Sequence, residues 1–498
     1  MSGLRYSSIE RSDKLIVTLL VAALWPCWPG AASVAAEDQP ARPHIVVYLS
    51  DDHGQEFAGC YGNSAIKTPN LDAMAREGLK MTRMFAVTSS CAPSRSVLYT
   101  GLYPSRNGAM ANHTSCRAGL KSLPAYLKPL GYRVVLANKT HIAPAEVFDF
   151  EFIKARLPSV PGKSRRYRSE GLDVEAVDRF LAQHKQENPE QPLCLILADD
   201  NPHVLWEKNT TYDPAKLPLS PILVDTPKTR TALANYYQDI TTMDARIGRV
   251  RASLSKHGFA DDTLFIYTSD QGSEWPKGKW TVYDTGLLVP FLAVWPKHIQ
   301  PGSSSNALVS FVDFLPTVIE VAGEIAPTDP QTFDGRSFKN ILTGRAAAHS
   351  KFVFGTHTGD GKMNDFPQRS IRDDRYKYVL NLKPETKWKT HFTEVSGIPD
   401  SHRDVYGTWL EKAKTDGSVA RLIDVIENHG AEEFYDLEAD PYELHNLINS
   451  PKHAPQIKAF HARLAKWMHD HGDEGLVTEA REAARDKAYR EAIKRQRD

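Results

Sequence analysis

The chain has 498 residues, 61 Lys and Arg against 61 Asp and Glu, and 41% hydrophobic against 24% charged residues. A chain this long buries at least one large core, and its formal net charge of zero excludes whole-molecule attraction to nucleic acid or an anionic membrane, so any anion recognition must be local. Five cysteines in such a length do not make a disulfide framework.

In chain order, the amino terminus predicts a secretory signal. Arg5, Arg11 and Lys14 precede an apolar run at residues 15–25, and small residues at 31–36 precede Glu37. The run is short for a bilayer span. Cleavage near Ala36 is expected, giving a secreted or periplasmic protein without a stable membrane anchor and with Cys60, Cys91, Cys116 and Cys194 remaining. From residue 44, apolar runs of strand length (44–49, 132–137, 193–198, 263–268 and 290–294) alternate with stretches of helical spacing (71–79, 94–103 and 309–321). Pro69 suits a helix start. The alternation predicts an α/β architecture: a large mixed, mostly parallel sheet with helices on both faces. Cys194, within an all-apolar run, reads as a small core hydrophobe.

After about residue 350 the pattern changes. Residues 369–380 read as a strand pair around a turn, 434–437 as a further strand, and a helix follows Pro451. The expected organisation is a signal peptide at 1–36, a catalytic domain at 37–350, a smaller C-terminal α+β domain with an antiparallel sheet at 351–472, and a charged helical tail at 473–498. Rich in Ala, Glu, Arg and Lys, the tail predicts a solvated or frayed helix.

Two strands end alike, in Ser50-Asp51-Asp52-His53-Gly54 and in Ser269-Asp270-Gln271-Gly272. Open parallel sheets gather ligands at the carboxyl ends of their strands, so these distant segments can deliver acidic groups to one crevice. Asp51, Asp52, Asp270 and Gln271 form a candidate metal cage of three carboxylates and an amide oxygen. Such a set favours a hard cation, Ca²⁺ with Mg²⁺ as the alternative, over Zn²⁺.

The segment Ser89-Ser90-Cys91-Ala92-Pro93-Ser94-Arg95, continuing through an apolar run to Thr100-Gly101, resembles the modification site of the formylglycine-dependent sulfatases of the alkaline phosphatase superfamily. Further segments follow in that family's order: residues 66–72, Gly131-Tyr132-Arg133 with Lys139-Thr140-His141, residues 279–290, and Tyr435-Asp436-Leu437 through Asn446-Leu447. The overall pattern is similar to N-sulfoglucosamine sulfohydrolase-like members. Departures are Asn138 and Ala143, where glycines are usual, and Gln271, where asparagine or histidine is commoner. The first pair suggests an altered local backbone.

The resemblance implies that a formylglycine-generating or other sulfatase-maturing enzyme oxidises Cys91 to an aldehyde. Its hydrate attacks sulfur beside Ca²⁺, forming a covalent sulfo-enzyme that its second hydroxyl resolves. Arg95 orients the hydrate, Lys139 and Lys279 bind the sulfo group, His141 accepts a proton as the sulfo-enzyme collapses, and His203 is the general acid for the leaving group. If 139–141 is extended, Lys139 and His141 share a side. Lys277 is the alternative to Lys279, and His53 lies near the cage. Trp206, Trp275 and Trp280 are either sugar-facing or core. The implied activity is hydrolysis of sulfate esters or sulfamates of a sulfated saccharide, with no nucleic-acid partner. Phosphonate or phosphodiester hydrolysis and silent binding of sulfated glycan are the alternatives.

Overall fold

A computed structural model describes residues 42–153, 171–359, 363–393 and 403–497; the expected signal segment lies outside them. The large sheet contains β1 (His44–Ser50), β2 (Leu79–Phe85), β3 (Arg133–Asn138), β4 (Glu151–Ile153), β5 (Leu193–Ala198), β6 (Thr263–Ser269), β7 (Leu288–Val294), β8 (Ser303–Ser305) and β9 (Val309–Ser310). Its order is β4-β3-β5-β1-β6-β7-β2-β8, with β9 also on β2. Only β7 runs antiparallel to its neighbours β6 and β2. The fold is therefore the mixed, mostly parallel sheet that the alternating pattern predicts.

Each central strand is apolar on both faces because both are covered. In β1, Ile45, Val47 and Leu49 enter one core, and Val46 and Tyr48 enter the other. Cys194 and Ile196 of β5 face the first core, while Leu193, Leu195 and Leu197 face the second. Such continuous apolar strands are what a sheet buried on two sides requires. The long helix Pro227–Lys256 covers the second face, capped at its start by the Thr226 side chain, which accepts from the Thr229 amide. Cys60, Cys91, Cys116 and Cys194 are all free thiols. Among the described residues, no helix is long and apolar enough to cross a membrane.

Element bounds differ from the sequence pattern in instructive places. The first helix is Pro69–Glu77, and Leu79 already begins β2. Gly78 makes the break, because a Cβ there would lie 2.0 Å from the Ala293 carbonyl oxygen. The helix expected at 94–103 starts earlier, at Cys91, and ends at Thr100, with Gly101 in left-handed backbone (φ 67) donating to Val97 O. Residues 309–321 divide into β9, a single 3₁₀ turn, and the helix Phe314–Val321.

The second sheet is antiparallel, β10 (Val353–His357), β11 (Gln368–Arg372), β12 (Tyr376–Asn381) and β13 (Glu432–Asp436), in that order. Both sheets belong to one compact unit, residues 42–498. The helix Ala454–Asp470 links the second sheet to the segment after the Cys91 helix: Trp467 stacks on Phe354 of β10 at 4.8 Å and meets Tyr103 edge-on at 4.9 Å. The charged tail is the helix Leu476–Arg497, and its inner face is not solvated. Thr478, Glu482 and Asp486 are buried. Glu482 pairs with Arg117, and Asp486 accepts the Ser115 amide. Buried Arg369 of β11 is held by Asp473 and Glu479. Few large apolar residues were needed because ion pairs make the contact.

Trp467→Ala removes an aromatic that packs both on the second sheet, at Phe354, and on Tyr103 just past the Cys91 helix. It is expected to lower unfolding free energy by about 3–5 kcal/mol in denaturant titration; a loss under about 1 kcal/mol would show that the helix Ala454–Asp470 does not anchor the second sheet to the segment at Tyr103.

Candidate active site

Strand register gathers the chemistry. Ser50 of β1 pairs with Ser269 of β6, Leu49 pairs with Ala198 of β5, and Ala198 pairs with Asn138 of β3. The residues that follow, Asp51, Asp270, Asp199 and Lys139, therefore leave four adjacent strands at one level. Asp52 takes left-handed backbone (φ 65), a conformation a short polar side chain tolerates. The consecutive Asp51 and Asp52 thus reach one cluster with Asp270, their oxygens within 4.8 Å of one another. The Asp52 amide also donates to Asp270 Oδ1 at 3.3 Å.

Cys91 starts its helix at this cluster. Its Sγ lies 3.4 Å from Asp51 Oδ1 and 3.1 Å from Gln271 Nε2. Ser94 Oγ donates to the Asp270 carbonyl, which fixes the first helical turn against the end of β6. Arg95, wholly buried, donates through Nε to Asp270 Oδ2 at 3.0 Å and through Nη2 to Asp51 Oδ2 at 3.3 Å. Lys139 Nζ pairs with Asp51 Oδ2, and Lys279 Nζ with Asp52 Oδ2 at 2.9 Å. Three carboxylates thus face three cations inside the protein.

Burial alone would raise the Asp51 carboxyl, but Lys139, His203, Arg95 and Lys279 hold it far below the usual carboxylate range. Asp270 goes the other way: burial and the Asp51 charge push it up to about 7. Burial, with Asp51 next, raises the Cys91 thiol well above its ordinary value. As a cysteine, position 91 stays protonated and is a poor nucleophile.

Lys139 and His141 do not share an extended strand, since β3 ends at Asn138 and His141 has φ 47. Lys139 enters the carboxylate cluster, whereas His141 Nε2 lies 2.6 Å from Nδ1 of His113. Asn138 has φ 69 and its amide donates to Asp200 at 2.9 Å. It adopts the left-handed conformation that glycine favours. Of the two late lysines, Lys279 reaches the cluster. Lys277 Nζ instead sits 3.4 Å above the Tyr283 ring, and burial pushes it down to about 8. The loop carrying them closes backbone to backbone: Gly272 N donates to Gly286 O at 2.8 Å, where a Cβ on Gly272 would lie 1.9 Å from Thr285 O.

His203 follows β5, with Nε2 3.8 Å from Asp52 Oδ2 and Nδ1 2.6 Å from Val204 O. His53 is tied to Tyr267 and to Phe57 O, outside the cluster of charges. Trp275 is core, packed on Trp206 and Phe392, while Trp280 stacks on His391 at 5.0 Å. Three neighbours carry no sequence signal of their own. Glu274 forms a group of possible ligands with Asp52 and His203. Asn112 Oδ1 accepts from the Ala92 amide at 3.3 Å, and His113 reaches His141.

The donor set fits a divalent cation. Asp51, Asp52 and Asp270 converge, and the Gln271 side-chain amide lies against Asp52 through Nε2, its buried Oε1 without a hydrogen-bond partner, so that turning the amide over would offer a cation that oxygen. All four donors are oxygen, which suits Ca²⁺. A cation would also relieve the mutual repulsion that raises Asp270.

The sulfatase family model matches residues 43–324, and the model of the N-sulphoglucosamine sulphohydrolase C-terminal region matches residues 275–416. An ulvan-active sulfatase of Formosa agariphila is 34% identical over 437 residues, 87% of this chain and 81% of that protein. Human N-sulphoglucosamine sulphohydrolase is 28% identical over 469 residues, 86% of this chain and 90% of that one. Among solved structures, a complex with D-glucosamine-2-N,6-O-disulfate has a TM-score of 0.64 at 19% identity, covering 87% of this chain and 99% of that one. A phosphonate monoester hydrolase of Silicibacter pomeroyi has the same fold, with a TM-score of 0.63 at 20% identity and coverage of 87% and 96%. A family match across more than half the chain, with a relative of this identity and coverage, leads to one conclusion: the chain belongs to the sulfatase family of sulfuric ester hydrolases.

Proposed function

We propose that this chain is an exported sulfatase that removes sulfo groups from a sulfated saccharide, with Cys91 converted to formylglycine by a maturing enzyme and Ca²⁺ bound by Asp51, Asp52, Asp270 and Gln271. The observation that carries the reading is the position of Cys91, whose Sγ touches both Asp51 and Gln271 at the start of a buried helix. Hydrated formylglycine supplies a nucleophilic oxygen that a cysteine held protonated cannot, and Ca²⁺ supplies Lewis-acid polarisation beside it.

The charge balance supports an anionic substrate. Three carboxylates against Arg95, Lys139 and Lys279 leave the cluster near neutral. With a divalent cation held by Asp51, Asp52, Asp270 and Gln271 the cluster would be net positive, and Lys139 and Lys279 would be able to turn from Asp51 and Asp52 to sulfo oxygens. Arg95, held by two carboxylates, orients the residue at 91 one helical turn away. His203 stands on the loop after β5 and donates a proton to the departing oxygen or nitrogen. The start of the Cys91 helix also presents the positive end of its dipole toward an anion.

Relatives named for ulvan, for N-sulphoglucosamine and, in a solved complex, for a glucosamine disulfate favour a saccharide carrying an O-sulfate or an N-sulfo group. The phosphonate monoester hydrolase shares only the fold. Comparing turnover of a sulfate ester, a sulfamate and a phosphodiester by the activated protein separates these chemistries; faster phosphodiester turnover would overturn the reading.

Cys91→Ala is expected to abolish sulfate release with circular dichroism and thermal midpoint unchanged; retained turnover would defeat the covalent mechanism. Lys279→Ala should lower kcat by about 10²-fold, the scale of one lost charge-stabilising donor, measured by sulfate release at saturating substrate. Ca²⁺ at a hundred times its Kd should stabilise the chelator-treated protein by about 2.7 kcal/mol in denaturant titration, and Asp52→Asn should reduce that gain.

A further inference from the structure

The segment that carries His203 leaves β5 and is held at both ends by the long helix Pro227–Lys256. Arg246 Nη1 donates to Asn201 Oδ1 at 2.8 Å and to Asp199 Oδ2 at 3.3 Å. About two turns earlier, on the same side of that helix, Asp239 Oδ1 accepts the Glu207 amide at 3.1 Å. His203 lies between these two grips. Asp199, Asn201 and Asp239 are buried. Asp199 also accepts from the Tyr48 hydroxyl and, through Oδ1 at 3.1 Å, from the Leu172 and Asn201 amides. A buried carboxylate is costly unless paired and hydrogen-bonded, and Arg246 is its cation.

Inside the segment, the His203 amide donates to the Asp200 carbonyl at 3.0 Å and Trp206 Nε1 to the Pro202 carbonyl at 2.8 Å. The Val204 carbonyl, 2.6 Å from His203 Nδ1, can only accept, so Nδ1 carries a proton and Nε2 is the nitrogen left for chemistry. Nε2 is also the atom 3.8 Å from Asp52 Oδ2. The ring thus meets the carboxylate cluster with the nitrogen a general acid uses, and the backbone of 199–207 sets that aim.

We propose that Arg246 and Asp239 are positioning residues for His203: they hold residues 199–207 so that Nε2 reaches the leaving atom of the substrate. This rests on the sulfatase reading of the site. As the bond from sulfur to the leaving oxygen or nitrogen breaks, its electron pair stays on that atom and the His203 Nε2 proton moves to it. Neither Arg246 nor Asp239 need touch substrate. Asn201 ties the same grip to the carboxylate cluster, because its carbonyl accepts the Asp51 amide at 3.2 Å. Loss of Arg246 can therefore act through His203 or through Asp51, and the two leave different traces. A misplaced acid matters most for a poor leaving group, which departs only with a proton, whereas a misplaced Asp51 slows every sulfate alike.

The activated enzyme tests this with phenyl sulfate, a poor leaving group, against 4-nitrophenyl sulfate, a good one. Arg246→Leu should lower kcat on phenyl sulfate by about 10-fold or more, part of what general acid catalysis supplies, and leave 4-nitrophenyl sulfate within about 2-fold. Asp239→Ala should behave like Arg246→Leu. Arg246→Lys and Asp239→Asn, which keep a donor and an acceptor in place, should recover most of the rate. In a His203→Ala background, Arg246→Leu should cost nothing further on phenyl sulfate. An equal change on the two sulfates, or a full extra loss on top of His203→Ala, would overturn the proposal.

A second readout needs no turnover. In unactivated protein with ¹⁵N-labelled histidine, the His203 ring, assigned by its loss in His203→Ala, should give one sharp Nδ1–H signal. Arg246→Leu and Asp239→Ala should broaden or split that signal, measured well below the thermal midpoint of each variant. A His203 signal unchanged in both variants would overturn the proposal. That result does not depend on Cys91 oxidation or on sulfate release, so its failure is distinguishable from failure of the sulfatase reading.

Discussion

Three carboxylates gathered within 4.8 Å and withdrawn from water are the constraint to which the rest of this molecule answers. Charges so placed repel strongly and lose their hydration, so such a cluster persists only where compensating charge arrives with good geometry. Compensation comes from separate parts of the chain: Arg95 from the helix that opens with Cys91, Lys139 from the end of β3, and Lys279 from the glycine-closed loop after β6. Each cation binds a carboxylate, and each carboxylate offers an oxygen that could hold a metal ion. With a metal ion held there, the same cations that now neutralise the carboxylates would be available to an anion.

The parallel sheet makes this arrangement repeatable. Adjacent parallel strands in register end at the same level, so the residues after β1, β3, β5 and β6 emerge side by side. Cores on both faces hold those strand ends rigid, and rigidity matters because a displacement of about 1 Å can cost 10²-fold in rate. The second sheet and terminal helices add anchoring. Lys377 of β12 bonds Val282 O at 3.1 Å and pairs with Asp284 and Glu443, gripping the loop that carries Lys279. The tail helix, through Asp486 and Arg490, grips the segment that carries Asn112 and His113.

Much of the site was legible because its residues lie in short fixed strings. The Cys91 to Arg95 spacing, the Asp51-Asp52 and Asp270-Gln271 strand ends and the paired Lys139 and His141 are local patterns, and the structure brings Cys91, Arg95, Lys139, Lys279 and the four cage residues together. The choice between Lys277 and Lys279 was not local. The left-handed backbone at Lys277 (φ 62) and Trp280 (φ 74), together with the tight backbone approach of Gly278, turns one lysine onto Tyr283 and the other into the cluster. Asn112 and His113 likewise carry no pattern, because their role depends on where Ala92 and His141 lie in space.

The sequence by itself determined the architecture and the inventory of chemistry. Apolar alternation dictates a two-sided sheet because a strand without a polar face must be covered twice, and the motif strings name which side chains are available. Only the tertiary structure decided how those groups are paired, which way each hydrogen bond runs, and that the charged tail is an ion-paired inner wall. Pairing and direction depend on distances between segments far apart in the chain, and no local pattern encodes such distances.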